Sequence, residues 1–189
     1  MKKNPNTAII AWLSAGLLGF LLLPWYTIHD TAWYQVLGQI FAGPETANGL
    51  VQALEHQRPW LLFGLIGLGI AGLGLCVRPG RTQGAWLLAG GVLGLAGLLF
   101  SGFAIGARGW SYAPLAAAFG ELASNQFGMG AGAFVVLLAL LVLTAFGLAR
   151  VGYFKGDLFI AASVLTCSAL LALFIAFPVA QALSSAFID

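Results

Sequence analysis

Charge is what this chain has least of. Its 189 residues carry only eight Lys or Arg and six Asp or Glu, a charged fraction of 7%. Soluble domains of this size usually carry about 25% charged residues. So few charges leave no means of coating a water-facing surface, which excludes a soluble globular protein. Intrinsic disorder requires low hydrophobicity and high charge, and is excluded by the same numbers. Two cysteines are too few for a disulfide scaffold, and a net charge of +2 gives no basic footprint for nucleic acid. What is present is apolar: 60% of the residues are hydrophobic and the mean hydropathy is +0.95. The composition is that of an integral membrane protein.

A bilayer core takes about 20 apolar residues per helix. Five stretches approach or meet that length, at residues 7–24, 60–77, 85–106, 130–149 and 158–178, and none contains Asp, Glu, Lys, Arg or His. They lack the alternating polarity of barrel strands and read as helices. Asn4 and Pro5 precede the first, and Pro59 opens the second at a favourable first-turn position. Lys2 and Lys3 ahead of the first span resemble the start of a signal peptide. Pro24-Trp25-Tyr26 stands where small residues would mark cleavage, so the span is expected to remain as an anchor. The fold class is therefore all-α, a membrane bundle of five helices.

The charges sort by side. With the N-terminus inside, Lys2, Lys3, Arg78, Arg81, Arg150 and Lys155 lie inside and only Arg58 and Arg108 outside. That is a positive-inside bias, and it predicts N-terminus in and C-terminus out. Trp25, Tyr26, Trp60, Trp110 and Tyr112 fall near the outer interface, with Trp12, Trp86 and Tyr153 near the inner one, as expected of amphipathic rings. The longer outer loops each predict an interfacial helix. One covers residues 49–57 with Leu50, Val51 and Leu54 on a shared face; the other covers 114–124 with Leu115, Phe119 and Leu122 on one side.

Glycine is plentiful, with 26 residues. Gly90 to Gly94 and Gly102 to Gly106 each match GxxxG, a spacing that lets helix backbones approach closely. These four glycines are candidate helix-packing residues, either within the chain's own bundle, the more ordinary use, or against a partner helix. His29-Asp30 and Glu55-His56 flank the membrane on the outer side, and two imidazoles with two carboxylates suit a divalent metal. Their wide separation lacks any tight ligand spacing, and the simpler reading is polar loop residues. Cys76 and Cys167 are expected to act as small buried hydrophobes. Ser163, Thr166, Cys167 and Ser168 make the fifth span the most polar; helix–helix hydrogen bonding is the simpler expectation, a substrate path the sharper one. No span carries an ionisable group, and no phosphate loop, H-E-x-x-H or G-x-S-x-G occurs. These features point away from an enzyme and call for no cofactor.

The last third carries the most specific texture. It runs from Gln126-Phe127-Gly128-Met129-Gly130-Ala131-Gly132-Ala133 through Gly147-Leu148-Ala149-Arg150 and Val151-Gly152-Tyr153-Phe154-Lys155-Gly156-Asp157. Pro178, Leu183, Ser185 and Phe187 then follow the fifth span, and Leu23-Pro24-Trp25-Tyr26 and Arg58-Pro59-Trp60-Leu61 mark the first half. Together they resemble the N-terminal region of permease subunits of bacterial ABC importers, in particular the large ferric-iron-type permeases. The resemblance implies a four-helix extension over residues 1–157 and the first helix of the transport core over 158–189. It implies iron(III) uptake across the bacterial inner membrane, in partnership with the rest of the permease, a cytoplasmic ATPase and a periplasmic solute-binding protein. The family's E-A-A-x3-G-x9-I-x-L-P loop, which docks the ATPase, has no match here. The chain is accordingly expected to be the N-terminal part of a longer permease, or a split module, unable to transport alone. The other reading is a small stand-alone membrane protein that assembles or regulates a partner complex.

Overall fold

In the computed structural model, residues 6–26, 46–106, 109–110, 113–120, 128–176 and 178–179 are described. The described chain is mainly helical, with one short antiparallel strand pair, and four of its helices are long and apolar enough to cross a membrane. In order they are Pro59–Cys76, Arg81–Ala104, Ala131–Val151 and Leu158–Ile175.

The first predicted span is shorter than expected. Helix α1 runs Thr7–Leu22, 16 residues, or about 24 Å at 1.5 Å per residue, against a hydrocarbon core of about 30 Å. Pro24 explains the early stop, because a proline disfavours the helical region for the residue before it, and Leu23 is extended (φ −97°, ψ 149°). Helix α2 is Gly49–Leu54. Helix α3, Leu62–Leu73, is flanked by 3-10 turns at Pro59–Leu61 and Gly74–Cys76. Helix α4 is Arg81–Ala104. It ends where Ile105 becomes extended and β1 (Ile105–Gly106) pairs with β2 (Gly109–Trp110). Helix α5, Ala113–Phe119, precedes α6, Ala131–Val151. Helix α7, Leu158–Leu171, continues into a π turn at Ala172–Ala176.

Helix α6 is the hub. It packs against α1, α4 and α7, while α3 lies against α4 and α1. Its buried face carries Val136, Ala139, Leu140, Leu143 and Gly147, and the core closes around it with Ile9, Leu13 and Phe20 of α1, Leu68 and Ala71 of α3 and Leu87 of α4. The α3–α4 contact is made by backbone. A Cβ on Gly67 would lie 2.6 Å from Gly94 Cα, and one on Gly90 would overlap the Ala71 nitrogen and the Gly67 carbonyl oxygen. The α4–α6 contact is nearly as close, since a Cβ on Gly147 would lie 2.6 Å from the Leu88 nitrogen. Gly90 and Gly94 thus face α3 and α6 of their own chain. Gly102 faces open space, and Gly106 lies in β1 rather than in a helix.

Helix α6 ends on Gly152 in the left-handed region (φ 109°), whose amide donates to the Leu148 and Ala149 carbonyls. Phe154 and Lys155 are also left-handed, which reverses the chain within one short turn. Asp157 then caps α7, its carboxylate accepting from the Ile160 amide at 3.1 Å.

Candidate functional site

The helices alternate in direction, so polar residues collect at two ends. At the Arg150 end, Asn6 before α1, Gln83 in the first turn of α4 and Arg150 in the last turn of α6 converge. Gln83 Nε2 and an Arg150 guanidinium nitrogen donate to Asn6 Oδ1 at 3.2 and 3.3 Å. This ties three helices that are distant in sequence. Gln83 is fully buried, and its Oε1 has no hydrogen-bond donor among the described residues. Arg78, Arg81 and Lys155 lie at this same end, Arg78 just before α4, Arg81 at its first residue and Lys155 in the turn after α6.

The Trp60 end is aromatic. The segment after α1 passes as an extended strap between two others. Trp25 donates through its amide to the Ala47 carbonyl at 3.1 Å, and Gly130 and Gly132 donate to the Trp25 and Pro24 carbonyls at 2.9 and 2.8 Å. Pro24 bridges to Asn48 and Tyr26 to Met129. Asn48 ties the end of α1 to α2: its Nδ2 donates to the Leu21 carbonyl at 2.6 Å, and its Oδ1 caps the Val51 amide at 2.9 Å. Trp60, Trp110 and Phe119 form one cluster, with ring centroids 4.9 to 5.8 Å apart, and the Trp110 indole donates to the Gly120 carbonyl at 2.9 Å.

Of the predicted apolar face of α2, Leu50 packs against the core. Gly49, Gln52 and Ala53 are buried, whereas Leu54 is 65% exposed. The seat is set by the Asn48 cap and by the rings of Phe20 and Trp25, which leave room for no more than a glycine at position 49. Of the second interfacial helix, Ala113–Phe119 is helical among the described residues, and residues 121–124, Leu122 included, lie outside them.

Between these elements lies a cavity of about 310 Å3. Trp25, Tyr26 and Trp60 line one side, Leu98 and Gly102 of α4 another, Ala133 and Leu137 of α6 a third, and Leu173 of the π turn after α7 also lines it. The Ser101 hydroxyl, also in the wall, donates back to the Leu98 carbonyl at 2.8 Å. Arg58 stacks on Tyr26, its guanidinium carbon 4.6 Å from the ring centroid. Burial pushes the Tyr26 phenol above its ordinary value of 10.0, with the charge and hydrogen bond of Arg58 acting in the opposite direction. A raised phenol pKa means the fold favours the protonated form. That contribution is complete below the ordinary value and is lost as pH climbs through the raised one. Stability measured from pH 8 to 12 is expected to show an alkaline loss that shrinks in Tyr26→Phe; an identical alkaline limb in both proteins would refute this assignment.

Of the four residues proposed for a metal, Glu55 caps the end of α2 and His56 follows it in the turn. His29 and Asp30 lie outside the described residues. Among the described residues no group of three or more His, Cys, Asp or Glu side chains is placed to hold a metal ion. Both cysteines differ from expectation, since Cys76 and Cys167 are exposed on the bundle rather than buried in it. Thr166, Cys167 and Ser168 are likewise exposed on α7, while Ser163 is half-buried. The cavity and the Asn6–Gln83–Arg150 tie were not legible in the sequence, because each joins residues from three or more separate segments.

No family model, curated protein or solved structure matches this chain.

Proposed function

We propose that this chain is a non-enzymatic, multi-pass membrane subunit that docks onto the membrane helices of a partner through α7. The observation that carries this reading is the way α7 is held. Among the described residues its main packing on a long helix is against α6, and Ala161 is its one fully buried residue. Lipid covers exposed apolar side chains at no cost, so exposure of Phe159 or Leu171 decides nothing. Polar atoms decide more. Thr166 and Cys167 stand one turn beyond Ser163, on the side of α7 turned away from the core. In hydrocarbon such groups favour a neighbouring helix to bond with.

The resemblance of the last third supplies the partner class. In this reading α7 is the first helix of an importer core, residues 1–157 scaffold that core, and ferric iron is the cargo. The ATPase engages the assembled permease from the cytoplasm and the solute-binding protein from the other side. The loops at the Arg150 end face the cytoplasm of a bacterial inner membrane, where their Arg and Lys residues satisfy the positive-inside rule. A reporter fused after Arg150 that read as periplasmic would reverse this orientation.

The test uses the native thiol in a Cys76→Ser background. A short bifunctional thiol reagent in membranes is expected to link Cys167 to a membrane helix carrying, further along its chain, an E-A-A-type loop. Thr166→Leu is expected to reduce that product severalfold without changing the helical signal. Linkage to an unrelated membrane complex would favour the stand-alone assembly protein. Lipid-only accessibility of Cys167, with no protein adduct, would refute docking through α7.

A further inference from the structure

We propose that the cavity at the Trp60 end holds one acyl chain of a membrane phospholipid, with the lipid phosphate beside Arg58. The walls choose a hydrocarbon. Aliphatic and aromatic side chains supply most of the lining, and the Ser101 hydroxyl spends its proton on its own helix. A polar ligand would lose its hydration here and gain too few bonds in return. Apolar cavities admit apolar guests, and one of about 150 Å3 already takes a benzene-sized molecule. This one, at about 310 Å3, has twice that room.

The position selects a lipid over a free hydrocarbon. The cavity lies at the end of the bundle where Trp25, Tyr26 and Trp60 gather, the depth at which amphipathic rings meet headgroups. Tyr26 is both a wall residue and the platform for Arg58, so a guanidinium stands within a ring's width of the mouth. Arg pairs with phosphate in a forked geometry. Glu55 and His56 are the other titratable side chains described on this turn; Glu55, the C-cap of α2, is exposed, and exposed charges are screened by salt.

Gly102 gives the inference a clean handle. It lies inside α4, where glycine is less favourable than alanine by about 1 kcal/mol. No close packing requires it, because a Cβ there meets nothing within 4 Å. It lines the cavity, and its missing side chain keeps that wall open. This role differs from that of Gly90 and Gly94, although the spacing of the two motifs is the same.

The full chain would be purified from membranes in mild detergent, reconstituted in nanodiscs of phosphatidylglycerol and phosphatidylethanolamine, and examined by native mass spectrometry after detergent release. Wild type is expected to retain one phospholipid per chain. Gly102→Leu should cut that occupancy about ten-fold while leaving helicity and thermal midpoint unchanged. Arg58→Gln should shift the retained lipid from the glycerol to the ethanolamine headgroup. Should Gly102→Leu fail to fold, Leu173→Trp narrows the cavity from another element and is expected to displace the lipid equally. Wild type without a retained lipid, or Gly102→Leu and Leu173→Trp with undiminished occupancy, would overturn the proposal. Neither result bears on docking through α7, which Cys167 crosslinking reads separately.

Discussion

Gly90→Leu is expected to break the bundle apart. At this position α3 and α4 touch backbone to backbone, and an added Cβ would overlap the Ala71 nitrogen and the Gly67 carbonyl oxygen. Overpacked side chains can rotate aside, and such changes usually cost about 1–3 kcal/mol. Main-chain atoms of a continuous helix cannot rotate aside. Here the helices must separate, and separation also opens the Leu87, Leu98 and Leu140 contacts behind them. The loss is expected at about 3 kcal/mol or more, a large part of the 5–15 kcal/mol that holds a typical domain. Unfolding in mixed micelles with increasing SDS would measure it. Gly72→Leu on α3 is the control, because a Cβ there meets nothing within 4 Å; its effect should stay within about 0.5 kcal/mol. Equal stability of Gly90→Leu and wild type would show that α3 and α4 do not meet as described.

The contrast between Gly90 and Gly102 shows what spacing can and cannot convey. Both belong to GxxxG matches, yet one lies against a backbone and the other against empty space. Spacing states which residues share a face; it does not state what the face meets. The apolar helices were legible because an uninterrupted charge-free run is a local property, and four of them reach membrane-spanning length. Their ends were less so. The charge-free run extends through residue 24, whereas Pro24 itself disfavours helix at Leu23. On α2 the shared apolar face divides, Leu50 packing against the core while Leu54 stays exposed, and the burial of Gln52 has no hydropathy signal. The Asn48 side chain, bonding to Leu21 across 27 positions, sets that seat. The exposure of Cys76 and Cys167 has a related cause: a small apolar side chain sits as well against lipid as inside protein, so its burial carries no signal in a membrane chain. Long-range contacts such as Asn6 to Gln83 and Arg150 leave no local trace at all.

The aromatic cluster at the opposite end sets up the second large effect. Helix α5 has seven residues, too few to persist alone in water. What holds it is a set of rings. Phe119 stacks on Trp110, and both meet Trp60 edge-on. Trp60 is the buried member at 6% exposure and belongs to the 3-10 turn that opens α3, so it is the point through which the peripheral segment reaches the core. Trp60→Ala removes both edge-to-face contacts and a large buried surface, and is expected to cost about 3 kcal/mol. The loss should be unequal along the chain. Amide exchange over residues 113–119 should accelerate about a hundred-fold, while α6, whose Leu140 and Leu143 pack elsewhere, keeps most of its protection. Trp60→Phe retains a ring in the same place and should cost about 1 kcal/mol. If α5 exchanged no faster in Trp60→Ala, the rings would be neighbours without being the anchor. The same substitution also separates two roles of Trp60. It is a wall of the cavity as well as a support for α5. Removing it enlarges the space that Gly102→Leu fills, so a lipid chain retained in Trp60→Ala but lost in Gly102→Leu would mean that room, and not the indole, is what the ligand needs.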